Sequence, residues 1–250
     1  MRILATSDTH GYFPDVKLSL PEGETGFDLL LLGGDVCPAH DHYYAYQKEW
    51  LMTEFVAWIK SLPYNNVWSK VVMVPGNHDF ALERMSHAEL MELEHACDGR
   101  LKILRHDIYE FEFPVSDGVD SLTIFGTPYC SIFGNWAFMV SDETLDKKFS
   151  QIPEGVDILL SHDSPNVNKL GAILEGPWKN DNTGNKVLAK HIERIKPKVF
   201  VSGHFHSGNH TFENINGTWM GNVSYVNEDY SPANLPTIIP YNEEDRKFFG

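Results

Sequence analysis

Long apolar runs are missing from this sequence. A membrane helix needs roughly 20 apolar residues in a row, and the longest candidate, FDLLLLGG at 27–34, is far shorter. The opening MRILATSDTH has too short an apolar stretch for a secretory signal and reads as a first strand. No membrane partner is expected, and a cytoplasmic location is the default. Cysteine is scarce: Cys37, Cys97 and Cys130 are odd in number and far apart, which excludes a disulfide framework or a zinc-ribbon spacing. They read as small half-buried thiols. Positive charge is short as well. Twenty Lys and Arg face 35 Asp and Glu, a net charge of −15, which argues against a duplex nucleic-acid surface. An acidic protein can still take a phosphate when bound cations supply the positive charge. Repeats, low-complexity tracts and Gly/Ser linkers are lacking too, so residues 1–250 are read as one domain able to bury a full core.

What is present is a series of short, nearly continuous apolar runs. RILAT (2–6), DLLLLG (28–33), KVVMV (70–74), SLTIFG (121–126), VDILLS (156–161) and KVFVSG (198–203) carry the composition of strands buried on both faces. Helical patterns alternate with several of them. In YQKEWLMTEFVAWIKSL (46–62), Trp50, Leu51, Phe55, Trp58 and Ile59 share one face. RMSHAELMELEHAC (84–97) and NKVLAKHIERI (185–195) read as further helices, 104–120 as an antiparallel meander, and about 205–250 as closing hairpins and tail. The fold class is therefore α/β, with sheets in a sandwich flanked by helices.

In such folds function gathers at the carboxyl ends of the strands, so the residues after each run carry the information. They are Asp8-Thr9-His10, Gly34-Asp35, Gly76-Asn77-His78-Asp79, His162 and Gly203-His204-Phe205-His206. Asp8, His10, Asp35, Asn77, His162, His204 and His206 are seven N/O ligand side chains without a thiolate. That is more than one structural zinc takes, and it suits two borderline divalent cations. Manganese is the first choice, with Fe, Zn, Co and Ni as alternatives. Two adjacent cations need a shared anion between them. Asp35, alone on its Gly-Gly turn, is the best bridge. His204 and His206, two apart, are expected to serve both metals from one extended segment, with Phe205 facing away.

These blocks, in this order, resemble the calcineurin-like metallophosphoesterases: D-x-H at 8–10, G-D at 34–35, G-N-H-D at 76–79, a lone His162, and G-H-x-H at 203–206. The resemblance implies a four-layer α/β/β/α sandwich of two mixed sheets. It implies Asp8, His10 and His206 on one cation, Asn77, His162 and His204 on the other, and Asp35 between them. A hydroxide bridging the cations would attack phosphorus, and His78 would give a proton to the leaving oxygen. Asp79 is expected to brace backbone or imidazole behind the ligands. The protein Ser/Thr phosphatases follow G-D with an Arg-bearing segment, and the purple acid phosphatases place a Tyr ligand three residues after the bridging Asp. Here the chain reads GDVCPAHDHYY, with no Arg and with Pro38 at the Tyr position. FVAWIKSLP, LTIFGTPY, NWAF and RIKPKVFVSGHFHSG echo instead the small, uncapped MPPED-like branch. That branch implies a phosphodiesterase with a small, nucleotide-like phosphate ester as substrate. One departure is His162-Asp163-Ser164-Pro165, where the branch has His-Gly-Pro-Pro; Asp163 is expected just behind the ligands, near enough to the phosphate to repel it or to bind a ligand's hydroxyl.

The alternatives are a phosphomonoesterase of the same fold and a metal-binding scaffold without catalysis, although scaffolds usually lose a ligand or the catalytic His. An exonuclease would want a basic face. Outside the blocks, His87, His95 and His191 read as solvated helix faces and His40, Asp41 and His42 as a candidate pocket rim, while Phe133, Trp136 and Phe138 could stack a nucleobase but read first as core. Oligomeric state is not legible.

Overall fold

The computed structural model describes residues 1–181, 183–244 and 247–249. In chain order, β1 (Arg2–Thr6) and β2 (Leu29–Leu32) precede a helical stretch made of α1 (Tyr44–Trp50), a π turn over Leu51–Phe55, and α2 (Val56–Ser61). Then come β3 (Lys70–Met73), α3 (Phe80–Arg84), α4 (His87–Ala96), β4 (Leu101–Ile103), β5 (Asp107–Val115) and β6 (Gly118–Thr127). The short β7 (Cys130–Ser131) and β8 (Met139–Val140) lead into α5 (Asp142–Phe149), β9 (Ile158–Ser161), α6 (Lys186–Ile195) and β10 (Val199–Ser202). The chain closes with β11 (Glu213–Ile215), β12 (Thr218–Asn222), β13 (Thr237–Asn242) and β14 (Lys247–Phe248).

Two mixed sheets face each other. One runs β14-β13-β1-β2-β3-β4 and the other β11-β12-β10-β9-β6-β5. The parallel strands are β1, β2, β3 and β4 in the first, where β4 is the edge, and β6, β9, β10 and β12 at the centre of the second. Antiparallel strands close the sides, β13 on β1 and β5 on β6. Three apolar layers hold the assembly. Ile3, Leu29, Leu31, Val72, Ile158 and Val201 fill the space between the sheets. Leu4, Leu30, Leu32, Val71, Trp50, Phe55 and Ile59 join the first sheet to its helices, and Leu159, Phe200, Phe149, Leu188 and Ile192 join the second sheet to α5 and α6. The expected four-layer sandwich is thus present. Alternate residues of one strand enter different layers, which is why the strands read as unbroken apolar runs. Among the described residues no helix is long and apolar enough to cross a membrane.

Some elements depart from the sequence reading. The helix expected over 84–97 begins only at His87, because Ser86 caps it: its hydroxyl accepts from Glu89 N, and the Glu89 carboxylate accepts from Ser86 N. The meander at 104–120 is a long two-stranded hairpin of β5 and β6, paired from Asp107↔Gly126 to Val115↔Gly118. His191 is buried rather than solvated, since α6 packs on α5, where Asp146 Oδ1 lies 2.9 Å from its Nε2.

Candidate metal centre

Five strand tips meet at one end of the sandwich. β1 delivers Asp8 and His10, β2 Asp35, β3 Asn77, His78 and Asp79, β9 His162, and β10 His204 and His206. The sheets are stitched at this end: Ser7 N donates to Val223 O, Tyr225 N to Ser7 O, and Val223 N to Ser202 O. Four of the expected ligands hold left-handed backbone: Asp8 (φ 52°), His10 (44°), Asp35 (51°) and His204 (70°). Side chains other than glycine seldom tolerate this region, and its clustering marks a tip shaped for its side chains rather than for local stability. Glycine enters where nothing else fits. A Cβ on Gly76 would run into the Asp35 carboxylate and backbone, and one on Gly34 would lie 2.7 Å from Gly76 N and from His162 Nδ1.

The ligand side chains form two groups, Asp8 with His10 and His206, and Asp35 with His162 and His204, each able to converge on one ion. The fit to cations rests on how the nitrogens are oriented. His162 Nδ1 donates to Gly33 O at 2.8 Å and His206 Nδ1 to Asn227 O at 3.1 Å. These bonds occupy each Nδ1 and leave each Nε2 aimed inward. His206 Nε2 then faces His10 Nε2 at 3.4 Å and Asp8 Oδ1 at 3.6 Å, while His10 Nδ1 is buried without a partner. His162 Nε2 stands 2.9 Å from Asn77 Oδ1 and 3.5 Å from Asp35 Oδ2. Lone pairs and carboxylate oxygens gathered this way suit a divalent ion in each group. Asp35 belongs to the second group and also faces the first. Its Oδ2 lies 3.5 Å from His162 and 3.8 Å from His10, while its Oδ1 accepts from His78 N at 2.7 Å.

Burial sets the charge state. It pushes the Asp35 carboxyl up to about 6, against the lowering influence of His162. It lowers the imidazoles of His10 and His204 well below the usual range, keeping them in the neutral form that binds metal. For Asp8, burial pushes upward, but the hydrogen bond and charge of His206 prevail and hold the carboxyl well below its ordinary value.

His78 stands beside these groups, its Nε2 4.0 Å from Asp35 Oδ2. Its carbonyl accepts from Gln47 Nε2 at 2.8 Å, its Nδ1 lies 3.3 Å from His42 Nε2, and Trp136 covers its ring at 4.4 Å between centroids. Burial first, and then His42, lower its pKa to about 4. Asp79 braces backbone: its carboxylate accepts from Val36 N, Cys37 N and Gly76 N at 3.4, 2.9 and 2.7 Å, tying the Asp35 turn to the Asn77 turn.

A cavity of about 360 Å³ opens over the centre, lined by Asp35, Asn77, His78, His204 and His206, with Phe133, Trp136, Ile173, Thr183, Phe205, Glu228 and Tyr230 around them. Asp163, expected near the phosphate, is not on this wall. Its carboxylate is buried and accepts from Asn185 Nδ2, Ser131 N and Ser164 N at 2.8, 3.2 and 2.9 Å. The extended geometry expected for 204–206 is also corrected. His204 has φ 70° and Phe205 N closes back on Gly203 O at 2.8 Å, so the segment turns and Phe205 faces the cavity beside His204. Phe133 and Trp136 line the cavity instead of the core, where only Phe138 is found. Sequence reasoning missed Gln47, Tyr230 and Ser224, whose hydroxyl donates to Asp8 Oδ2 at 2.7 Å. None of them sits in a block, and only their long-range contacts reveal them.

Known proteins are similar to this chain. Metallophosphoesterase domain-containing protein 1 of Homo sapiens is 28% identical over 252 residues, which cover 95% of this chain and 70% of that protein. TT1561 of Thermus thermophilus superposes with a TM-score of 0.55 at 16% identity, covering 90% of each chain. Phosphopantetheinyl hydrolase of Mycobacterium tuberculosis superposes with a TM-score of 0.52 at 15% identity, covering 97% of each chain. These two are similar in fold. Residues 1–208 match the family model described as calcineurin-like phosphoesterase, and the chain belongs to that family of metal-dependent phosphoester hydrolases.

Proposed function

We propose that the protein is a phosphodiesterase working with two divalent cations, manganese foremost, on a small phosphate ester with a nucleotide-like or aryl alcohol. The observation that supports this is the charge of the cavity wall: none of the described residues lining it is Lys or Arg. A dianionic monoester calls for positive charge beyond the cations, most often from a bidentate Arg. A singly charged diester calls for less, and it suits a wall that also carries Asp35 and Glu228. The outer surface from Phe133, Trp136 and Phe205 is apolar and flat-sided, which fits an aromatic leaving alcohol.

When bound, the cations supply Lewis acidity at the phosphoryl oxygens and at the attacking water. Asp8, His10 and His206 would hold one, Asn77, His162 and His204 the other, with Asp35 shared. Asp79 and Gln47 keep the two turns in register. His78 gives its proton to the departing oxygen. Its imidazole is neutral in the resting site, and the arriving anion draws a proton onto it. The three buried, free thiols suit a reducing cytoplasm. The test is a comparison of matched aryl phosphodiester and monoester substrates on manganese-loaded protein. We expect the higher kcat/KM for the diester, and a clear preference for the monoester defeats the reading.

A further inference from the structure

Tyr230 is the cavity residue whose placement is most elaborate for a mere wall. Its backbone is left-handed, at φ 58°. Asn227 builds the loop that carries it: its Oδ1 accepts from Asp229 N and Ser231 N, both at 3.0 Å, and its carbonyl accepts from Tyr230 N at 2.9 Å. The same loop is tied to the turn bearing His206. Asn227 O takes the His206 Nδ1 proton, and the Glu228 carboxylate accepts from Ser207 N and Oγ at 3.0 and 2.6 Å. Whatever fixes His206 therefore fixes Tyr230.

The ring so held stands edge-on to three imidazoles, with centroids 4.7 Å from His10, 5.0 Å from His206 and 6.0 Å from His78. It spans the gap between the first ligand group and the proton donor. Tyr230 is 39% exposed and lines the cavity, so its hydroxyl is open to a molecule bound there. A phenol carries a proton it can donate at neutral pH.

We infer that Tyr230 contacts the substrate, its hydroxyl donating a hydrogen bond to a non-bridging oxygen of the bound phosphoryl group. The inference rests on the phosphoesterase reading of the same site. It gives the wall a donor with no charge, which orients a phosphoryl anion without rewarding a second negative charge.

The experiment compares Tyr230→Phe with the parent, both reloaded with manganese. Phenylalanine keeps the ring and tolerates the backbone equally. We expect unchanged metal content and a loss of about ten- to hundredfold in kcat/KM for the aryl diester, the range for a hydrogen bond to a charged group. Sulfur in place of a non-bridging oxygen is a weak acceptor, so one thio-diester diastereomer should slow the parent more than the variant. A purely structural tyrosine would not produce that difference. Loss of metal in Tyr230→Phe would make the phenol a ligand, and a kcat/KM within twofold of the parent would make it a wall; either overturns the inference. Equal thio effects in the two proteins overturn it too. Should the parent cleave only monoesters, the diesterase reading fails separately. Inorganic phosphate binding to the two loaded proteins then decides the phenol: weaker binding by the variant supports the contact, and equal binding refutes it.

Discussion

Asp28 and Asp35 are the same side chain, both buried, at opposite ends of β2. Asp28 is finished by the protein. Its Oδ2 accepts from Arg2 N at 2.7 Å and its Oδ1 from Asn65 and Asn66 at 2.8 and 3.1 Å. Asp35 has one oxygen so treated and leaves the other facing the nitrogens of His162, His10 and His78 at 3.5, 3.8 and 4.0 Å. Its backbone is left-handed as well. A buried carboxylate is costly unless paired. At one end of the strand the pairing is complete, which is the pattern of a structural residue. At the other the protein has arranged acceptors and lone pairs around a space, which is the pattern of a residue kept for a cation.

The largest effect should come from breaking the second end. In Asp35→Asn the shared negative charge is gone, so both cations should be lost together and activity should fall to background. Elemental analysis after reloading reads this directly; a variant that still holds two ions sinks the bridging role. Next is His78→Ala, which separates the proton donor from the ligands beside it. We expect a loss of about 10²–10⁴-fold on a nucleoside or alkyl leaving group and a much smaller loss on nitrophenolate, which leaves well unprotonated. Metal content should match the parent. Equal slowing of both substrates would make His78 an orienting residue instead. The smallest effect belongs to the first end. Asp28→Asn leaves donors facing an amide, at a cost of about 1–3 kcal/mol, seen as a Tm lower by about 3–10 °C. Its metal content and kcat/KM should stay at parental levels, and a fall in either would erase the contrast.

Much of this was legible in sequence because two periodicities and one location rule carry it. Strands buried on both faces must be continuously apolar, so Ile3, Leu30, Val72, Leu159 and Val201 announced themselves, and the polar residues just beyond them marked the tips. The breaks in expectation have local or long-range causes. Ser86 and Glu89 stop the helix from starting earlier by satisfying each other's backbone groups. Asp163 follows a ligand in sequence but turns to Asn185, a partner 22 residues away that no spacing rule supplies. His204 and His206 cannot be placed from an i, i+2 count, because the backbone between them turns. Tyr230 and Ser224 reach the site from a loop whose sequence, rich in Asn and Ser, reads only as a turn.

The pairing of β1 with β13 has a consequence for how the molecule is made. Arg2 lies against Pro240 and Ala5 against Thr237, so the strand that presents Asp8 and His10 is completed by a segment synthesised at the far end of the chain. Until residues 237–242 arrive, one side of β1 is a bare edge with unpaired amides and carbonyls, open to neighbours it should not meet. Contacts of such sequence separation form slowly. Nascent chains halted before β13 should therefore be the most prone to aggregate and should need chaperone cover longest.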